Sequence, residues 1–146
     1  MGRGVGRRLL FDTHATALLL IACAFAGAAQ AQDYARELAR CGIDPKPRLP
    51  PMEAIEGCTA VIDSGKATAA IVAEALVNRG DAYRLRQNDL DRAIADFDQA
   101  IRLRPTFSIA YRDRGKARQA KGDVAGGAAD LAEAERIGRQ KPLDQY

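Results

Sequence analysis

From Met52 onward, small and apolar residues recur at spacings of three and four, and turn signals interrupt them at roughly fifteen-residue intervals. This period belongs to helices with one buried face. It predicts a short helix over Met52–Ser64, then Ala69–Arg86, Asp89–Arg104, Ser108–Lys121 and Asp123–Ile137. Asp89 and Asp123 stand where a carboxylate can accept from free N–H groups at a helix start. Pro105 closes a helix and turns the chain into the next. Gly126 and Gly127 fall in the opening turns of the last helix. Each costs about 1 kcal/mol relative to alanine there, so that helix is predicted to fray most. Residues 32–51 contain Pro45, Pro47, Pro50 and Pro51 and read as an irregular Pro-rich cap.

The first thirty-one residues follow a different pattern. Arg3, Arg7 and Arg8 precede an apolar run from Ala15 to Ala29, and Ala29-Gln30-Ala31 closes it with small residues at alternate positions. This is the order of a secretory signal peptide, residues 1–31, cleaved after Ala31. The run falls short of the roughly 20 residues that span a bilayer comfortably. A second reading stays open, because Leu20-Ile21-Ala22-Cys23 also fits a bacterial lipobox in which Cys23 is acylated and the chain is membrane-anchored. An uncleaved anchor is a third.

The helical part repeats. Asn78-Arg79-Gly80-Asp81-Ala82-Tyr83 and Asp113-Arg114-Gly115-Lys116-Ala117-Arg118 share an Arg-Gly-x-Ala core 35 residues apart. Ala93, Phe97 and Ala100 follow the first, and Gly127, Leu131 and Ala134 follow the second with the same mutual spacing. A repeat of this length points to stacked helical hairpins. Gly80 and Gly115 remove a side chain where paired helices come close, and Tyr83 and Phe97 fill the wider gaps.

These residues resemble the tetratricopeptide repeat (TPR) family, and the chain reads as a short exported bacterial member. Gly80, Ala82, Tyr83, Ala93, Phe97, Ala100 and Pro105 match its pattern in one unit, with one extra residue in the turn at Gln87 and Asn88. Gly115, Ala117, Gly127, Leu131 and Ala134 match more loosely, with Arg118 at the tyrosine position and no closing proline. Upstream, Ala54, Cys58 and Val61 sit where a preceding second helix would place them, while its first helix is missing or broken by the proline cluster. The resemblance implies an all-α fold, a right-handed superhelical stack of antiparallel helix hairpins (an α-solenoid), with about two and a half repeats over residues 52–138. Residues 139–146 form a polar tail too short to cap it, which leaves Ala125, Ala129 and Ala132 open to solvent or to self-association as a homo-oligomer.

By the same resemblance, first helices of successive hairpins line a concave groove that holds a peptide or partner protein. On this chain the groove positions are Val77, Asp81, Arg84 and Leu85, then Ile109, Arg112, Lys116 and Gln119. Val77, Leu85 and Ile109 form an apolar strip flanked by Arg84, Arg112 and Lys116, which suits an extended segment with acidic and apolar residues. The Lys and Asn arrangement by which some members clamp a C-terminal carboxylate is not reproduced, since Val77 and Asp81 occupy two of its places.

Composition narrows the chemistry. A formal charge of +3 on 146 residues is too small for a protein that coats nucleic acid, and 5% aromatic content with no Trp leans away from large stacking surfaces. Removing residues 1–31 leaves 115 residues with 19 basic and 18 acidic side chains, and takes away His14 and Cys23. No histidine base then remains for a nucleophile. Cys41 and Cys58 would stand in an oxidising compartment, the periplasm, either bridged or as buried free thiols. Asp89, Asp91, Asp96 and Asp98 lack the glycine and distal glutamate of a calcium loop, and read as a cap and a solvated acidic face, with Asp96 and Asp98 meeting Arg92 and Arg102 along one helix. Ser64-Gly65-Lys66 lacks the upstream glycine of a phosphate loop and reads as a helix stop. The sequence therefore points to a binding protein, with no enzyme activity, no cofactor and no metal.

Overall fold

The computed structural model describes residues 31–43, 49–86 and 89–140. Residues 1–30, with Cys23 and nearly all of the expected signal segment, Pro45 and Pro47 of the proline cluster, and the tail from residue 141 lie outside the described residues. The chain divides into two units, Met1–Asp33 and Tyr34–Tyr146, and the features below belong to the second. Among the described residues it holds six helices: α1, whose part in this unit runs over residues 34–41, then α2 (Pro51–Asp63), α3 (Ala69–Leu85), α4 (Leu90–Leu103), α5 (Ser108–Lys121) and α6 (Val124–Arg139). No strand occurs among the described residues. The fold is an all-α, TPR-like stack of helical hairpins, in which each helix from α2 onward packs on the next and the first helices α3 and α5 also touch.

The reading of residues 32–51 as an irregular cap needs correction. A helix does precede the prolines, so the described residues form three hairpins, α1/α2, α3/α4 and α5/α6. Proline at 51 opens α2, at a position where a missing N–H breaks no helical bond. The remaining ends follow local chemistry. Thr68, Asp89 and Asp123 accept from the backbone N–H groups of Ile71, Arg92 and Gly126. Gly122 ends α5 with φ +100°, a left-handed conformation that glycine adopts without a steric penalty.

Two apolar clusters fill the stack. The larger joins α3, α4 and α5 through Leu76, Phe97 and a set of alanines at zero exposure, among them Ala73, Ala93 and Ala110. The smaller joins α1, α2 and α3 through Cys41, Cys58, Val61 and Ala75. Cys41 and Cys58 form a disulfide.

Glycine sets the distance within each later hairpin. A Cβ on Gly80 would lie 2.8 Å from the Phe97 ring and 3.2 Å from the Ala93 carbonyl oxygen. On Gly115 it would lie 2.9 Å from the Gly127 carbonyl oxygen and 3.2 Å from Leu131. Gly127 in turn faces the Gly115 carbonyl oxygen at 2.7 Å from its own would-be Cβ, and it is buried. The glycine that was expected to loosen α6 is therefore what lets α5 and α6 meet, and α6 is a continuous helix of 16 residues. Ala125, Ala129 and Ala132 are exposed on it, as the sequence suggested.

The acidic residues of α4 also depart from expectation. Asp96 is buried and takes two hydrogen bonds from Arg79, at 2.9 and 2.8 Å, instead of lying on a solvated face with Arg92. Arg114 grips the buried Asp130 in the same way, at 2.8 and 2.5 Å. Each arginine has one further nitrogen, which donates to the preceding hairpin: Arg79 to Thr59 on α2, Arg114 to Asp98 on α4. Hydrogen bonds to Asp96 and Asp130 outweigh desolvation and hold both guanidiniums above their ordinary pKa. A raised pKa keeps its stabilisation at every pH below the unfolded value, so these clamps are fully charged throughout the neutral range.

Two measurements test this packing. Gly115→Ala is expected to lower stability by about 1–3 kcal/mol, because the added methyl meets backbone. Gly138→Ala, where nothing lies within 4 Å of the added atom, should leave stability unchanged or raise it by up to about 1 kcal/mol. Thermal midpoints that fall equally for both would refute the close contact. In urea denaturation, Arg79→Met or Asp96→Ala should each cost about 3 kcal/mol by stranding a buried charge. Arg84→Met, which breaks the more exposed pair with Asp81, should cost less than about 1 kcal/mol.

Candidate protein-binding groove

Because α3 and α5 are both first helices and lie side by side, their shared face continues to the end of α1. There, Ile43, Glu74, Val77, Asn78, Phe107 and Ile109 line a cavity of about 290 Å³. That volume holds one or two apolar side chains, near the lower end of ligand pockets. Its floor is apolar, from Val77, Phe107, Ile109 and Ile43. Its polar groups are Glu74, 3.6 Å from Arg104, and Asn78, whose amide donates to the Cys41 carbonyl at 3.1 Å. The Arg104 guanidinium stacks 4.5 Å from the centre of the Phe107 ring.

The structure brings together only part of the set expected from sequence. Val77 and Ile109 meet in this cavity, Val77 as a buried wall and Ile109 as an exposed edge. Leu85 is exposed at the far end of α3 and does not line the cavity, so the apolar strip is not continuous. Asp81 and Arg84 pair with each other at 2.6 Å. Arg112 and Lys116 both lie within reach of Asp113, at 3.3 and 3.4 Å. The three expected cations thus share two carboxylates, which weakens the expected preference for an acidic ligand. Arg112 also lines a second cavity of about 280 Å³ along α5 and α6, with Ser108, Leu131, Ala134 and Glu135. Gln119 does not reach the groove cavity, since its side-chain stem covers Gly127 inside the last hairpin.

Glu74, Asn78, Phe107 and Ile43 were not foreseen. Glu74 could have been found, because it stands 35 residues before Ile109, the same offset that relates Gly80 to Gly115. Asn78 opens the repeated motif itself. Ile43 carries no such signal, since the helix before it has Cys41 where the repeat has glycine. Among the described residues, no cluster of three or more His, Cys, Asp or Glu side chains is arranged to hold a metal ion, and no helix is long and apolar enough to cross a membrane.

The hairpin stack, its small-residue contacts and the face shared by first helices define a TPR-like helical repeat protein. Residues 80–122 match the model of the TPR repeat family. The chain is similar to tetratricopeptide repeat protein 36 from Bos taurus and from Mus musculus, 48% identical to each over 46 residues. The matched segment is 32% of this chain and 24% and 25% of those proteins, so it spans about a quarter of the curated relatives' length.

Proposed function

We propose that this protein is an exported protein–protein interaction module, without catalytic activity, that holds a peptide or partner protein in its concave groove. The observation that carries the reading is the apolar cavity between the first helices, where Val77, Phe107 and Ile109 offer a partly solvated apolar surface beside hydrogen-bonding groups. Such a surface gains from an incoming apolar side chain in a way that a uniformly charged helix face does not. The family match over residues 80–122 supports the binding role. Export, to the periplasm, is supported by the order of basic, apolar and small residues over residues 1–31 and by the Cys41–Cys58 bridge, since structural disulfides persist in oxidising compartments. The lipobox around Cys23 favours one variant of this reading, in which the same module is tethered to a membrane as a lipoprotein in an envelope assembly.

Selection of the purified chain against a peptide library should return apolar-centred sequences. Ile109→Glu, at an exposed edge of the cavity, should weaken the best of them by about tenfold or more, roughly 1.4 kcal/mol. Val124→Glu, exposed on α6, should leave binding unchanged. Equal effects of the two would refute the groove. The intact mass of the exported chain separates the two variants: a first residue at Gln32 rejects the tethered form, and an acylated Cys23 rejects the free one.

A further inference from the structure

The first hairpin is held differently from the other two. In α3/α4 the contact at the crossing is Gly80 against Phe97, and in α5/α6 it is Gly115 against Leu131. Cys41 and Cys58 stand 17 residues apart, the same separation as Gly80 and Phe97, and occupy the matching place with a covalent bond. The residue before each of them extends the parallel. Arg79 and Arg114 reach buried acids at 96 and 130, whereas Gly57 stands at that place in α2, and a side chain there would lie 2.6 Å from the backbone of Arg40. Arg40 is left with Glu56 at 2.9 Å and Glu53 at 3.9 Å, all three side chains well exposed. Solvent screens such pairs. Gly57 keeps the helices close, but the buried arginine–aspartate clamp that fastens the later hairpins has no counterpart on α1.

The same disulfide reaches the groove. The Cys41 carbonyl accepts the Asn78 amide at 3.1 Å, and Ile43, two residues on, lines the cavity together with Val77 and Ile109. We propose that the groove is assembled only in the oxidised chain: the Cys41–Cys58 bond latches α1 to the stack, and its reduction frees α1, withdraws Ile43 and opens the cavity while α3–α6 stay folded. In the reduction a dithiol gives up two electrons and two protons, the S–S bond breaks, two thiols form, and the dithiol becomes a disulfide. Cys41 and Cys58 are 1% and 0% exposed, so a reductant reaches them only when α1 lifts. A helix the length of α1 is marginal when it is not packed. The bearing of this latch on ligand binding rests on the groove reading above, while the latch itself does not.

Amide hydrogen exchange, read segment by segment on the full chain, tests it without a ligand. The oxidised chain is compared with the chain reduced by dithiothreitol and with the double variant Cys41→Ala, Cys58→Ala, which reports the unlatched state without reductant. Both unlatched forms should exchange about a hundredfold faster over residues 34–43, the factor implied by releasing a loop of this size. The groove face of α3 around Asn78 should exchange faster to a smaller extent, and α4–α6 should be unchanged. Unchanged protection over residues 34–43 would overturn the latch. So would equal loss across all helices, which would make the bond a staple of the whole fold. If the latch is observed and no peptide binds the oxidised chain, the groove reading fails by itself.

Discussion

The stack depends on how closely two helices of a hairpin can approach. Gly80 and Gly115 bring backbone against a large side chain, and that closeness has an electrostatic consequence. One residue before each glycine, an arginine is carried into the gap between helices, where water is scarce and a partner acid must be supplied. Asp96 and Asp130 supply it, each one residue before the large apolar residue that the glycine receives. Apolar contact and ion pair are thus adjacent parts of one device. The contact excludes water from the pair, and the pair's paired hydrogen bonds fix the rotation of the helices that the alanine-rich contact alone would leave loose. Buried ion pairs are weak evidence of net stability, since desolvation offsets attraction. Their contribution here is register, because a guanidinium bound at two nitrogens leaves the third aimed at one place on the preceding hairpin.

Most of the fold was legible because its spacing is local. Helix ends were set by Thr68, Asp89, Asp123, Gly122 and the prolines, and the period of alanines and glycines marked the buried faces. What was not legible involved burial. Asp96 and Asp98 read as solvated residues with partners on their own helix, since nothing in a single helix shows that an arginine 17 residues earlier and another 16 residues later will reach them. The first helix was missed for a related reason. Its lock is a cysteine where the others have glycine, so the motif that marks the repeat is absent from it, and the prolines belong to the connection after it and to the start of α2.

The candidate groove was legible in outline for the same reason and blurred in detail. Repeat spacing places first helices side by side, so Val77 and Ile109 were brought to one face by topology alone. The charges around them depend on neighbours one to three residues away. Asp81 engages Arg84, and Asp113 engages both Arg112 and Lys116, which turns three expected cations into a nearly balanced lining. Selectivity in such a lining comes from cavity shape and from a few fixed hydrogen-bonding groups more than from net charge.

The third nitrogen of each clamp arginine also bears on the surface at α6. Arg79 donates to Thr59 and Arg114 to Asp98, which follow Cys58 and Phe97, the residues at matching places in the preceding second helices. The corresponding residue of α6 is Ala132, and it is exposed. A second tie between hairpins, from Lys121 to Asp91, likewise maps onto exposed Ala125. Both acceptors that α4 offers to the hairpin beyond it are methyl groups on α6. A hairpin with the same arginine and lysine, laid on α6 in the same register, would find no acceptor there for the arginine's third nitrogen or for the lysine. The outer face of α6 is therefore unsuited to the chemistry that joins α4 to α5. The outer face of α6 thus differs from that of α4 at two acceptor positions, where Ala125 and Ala132 present methyl groups.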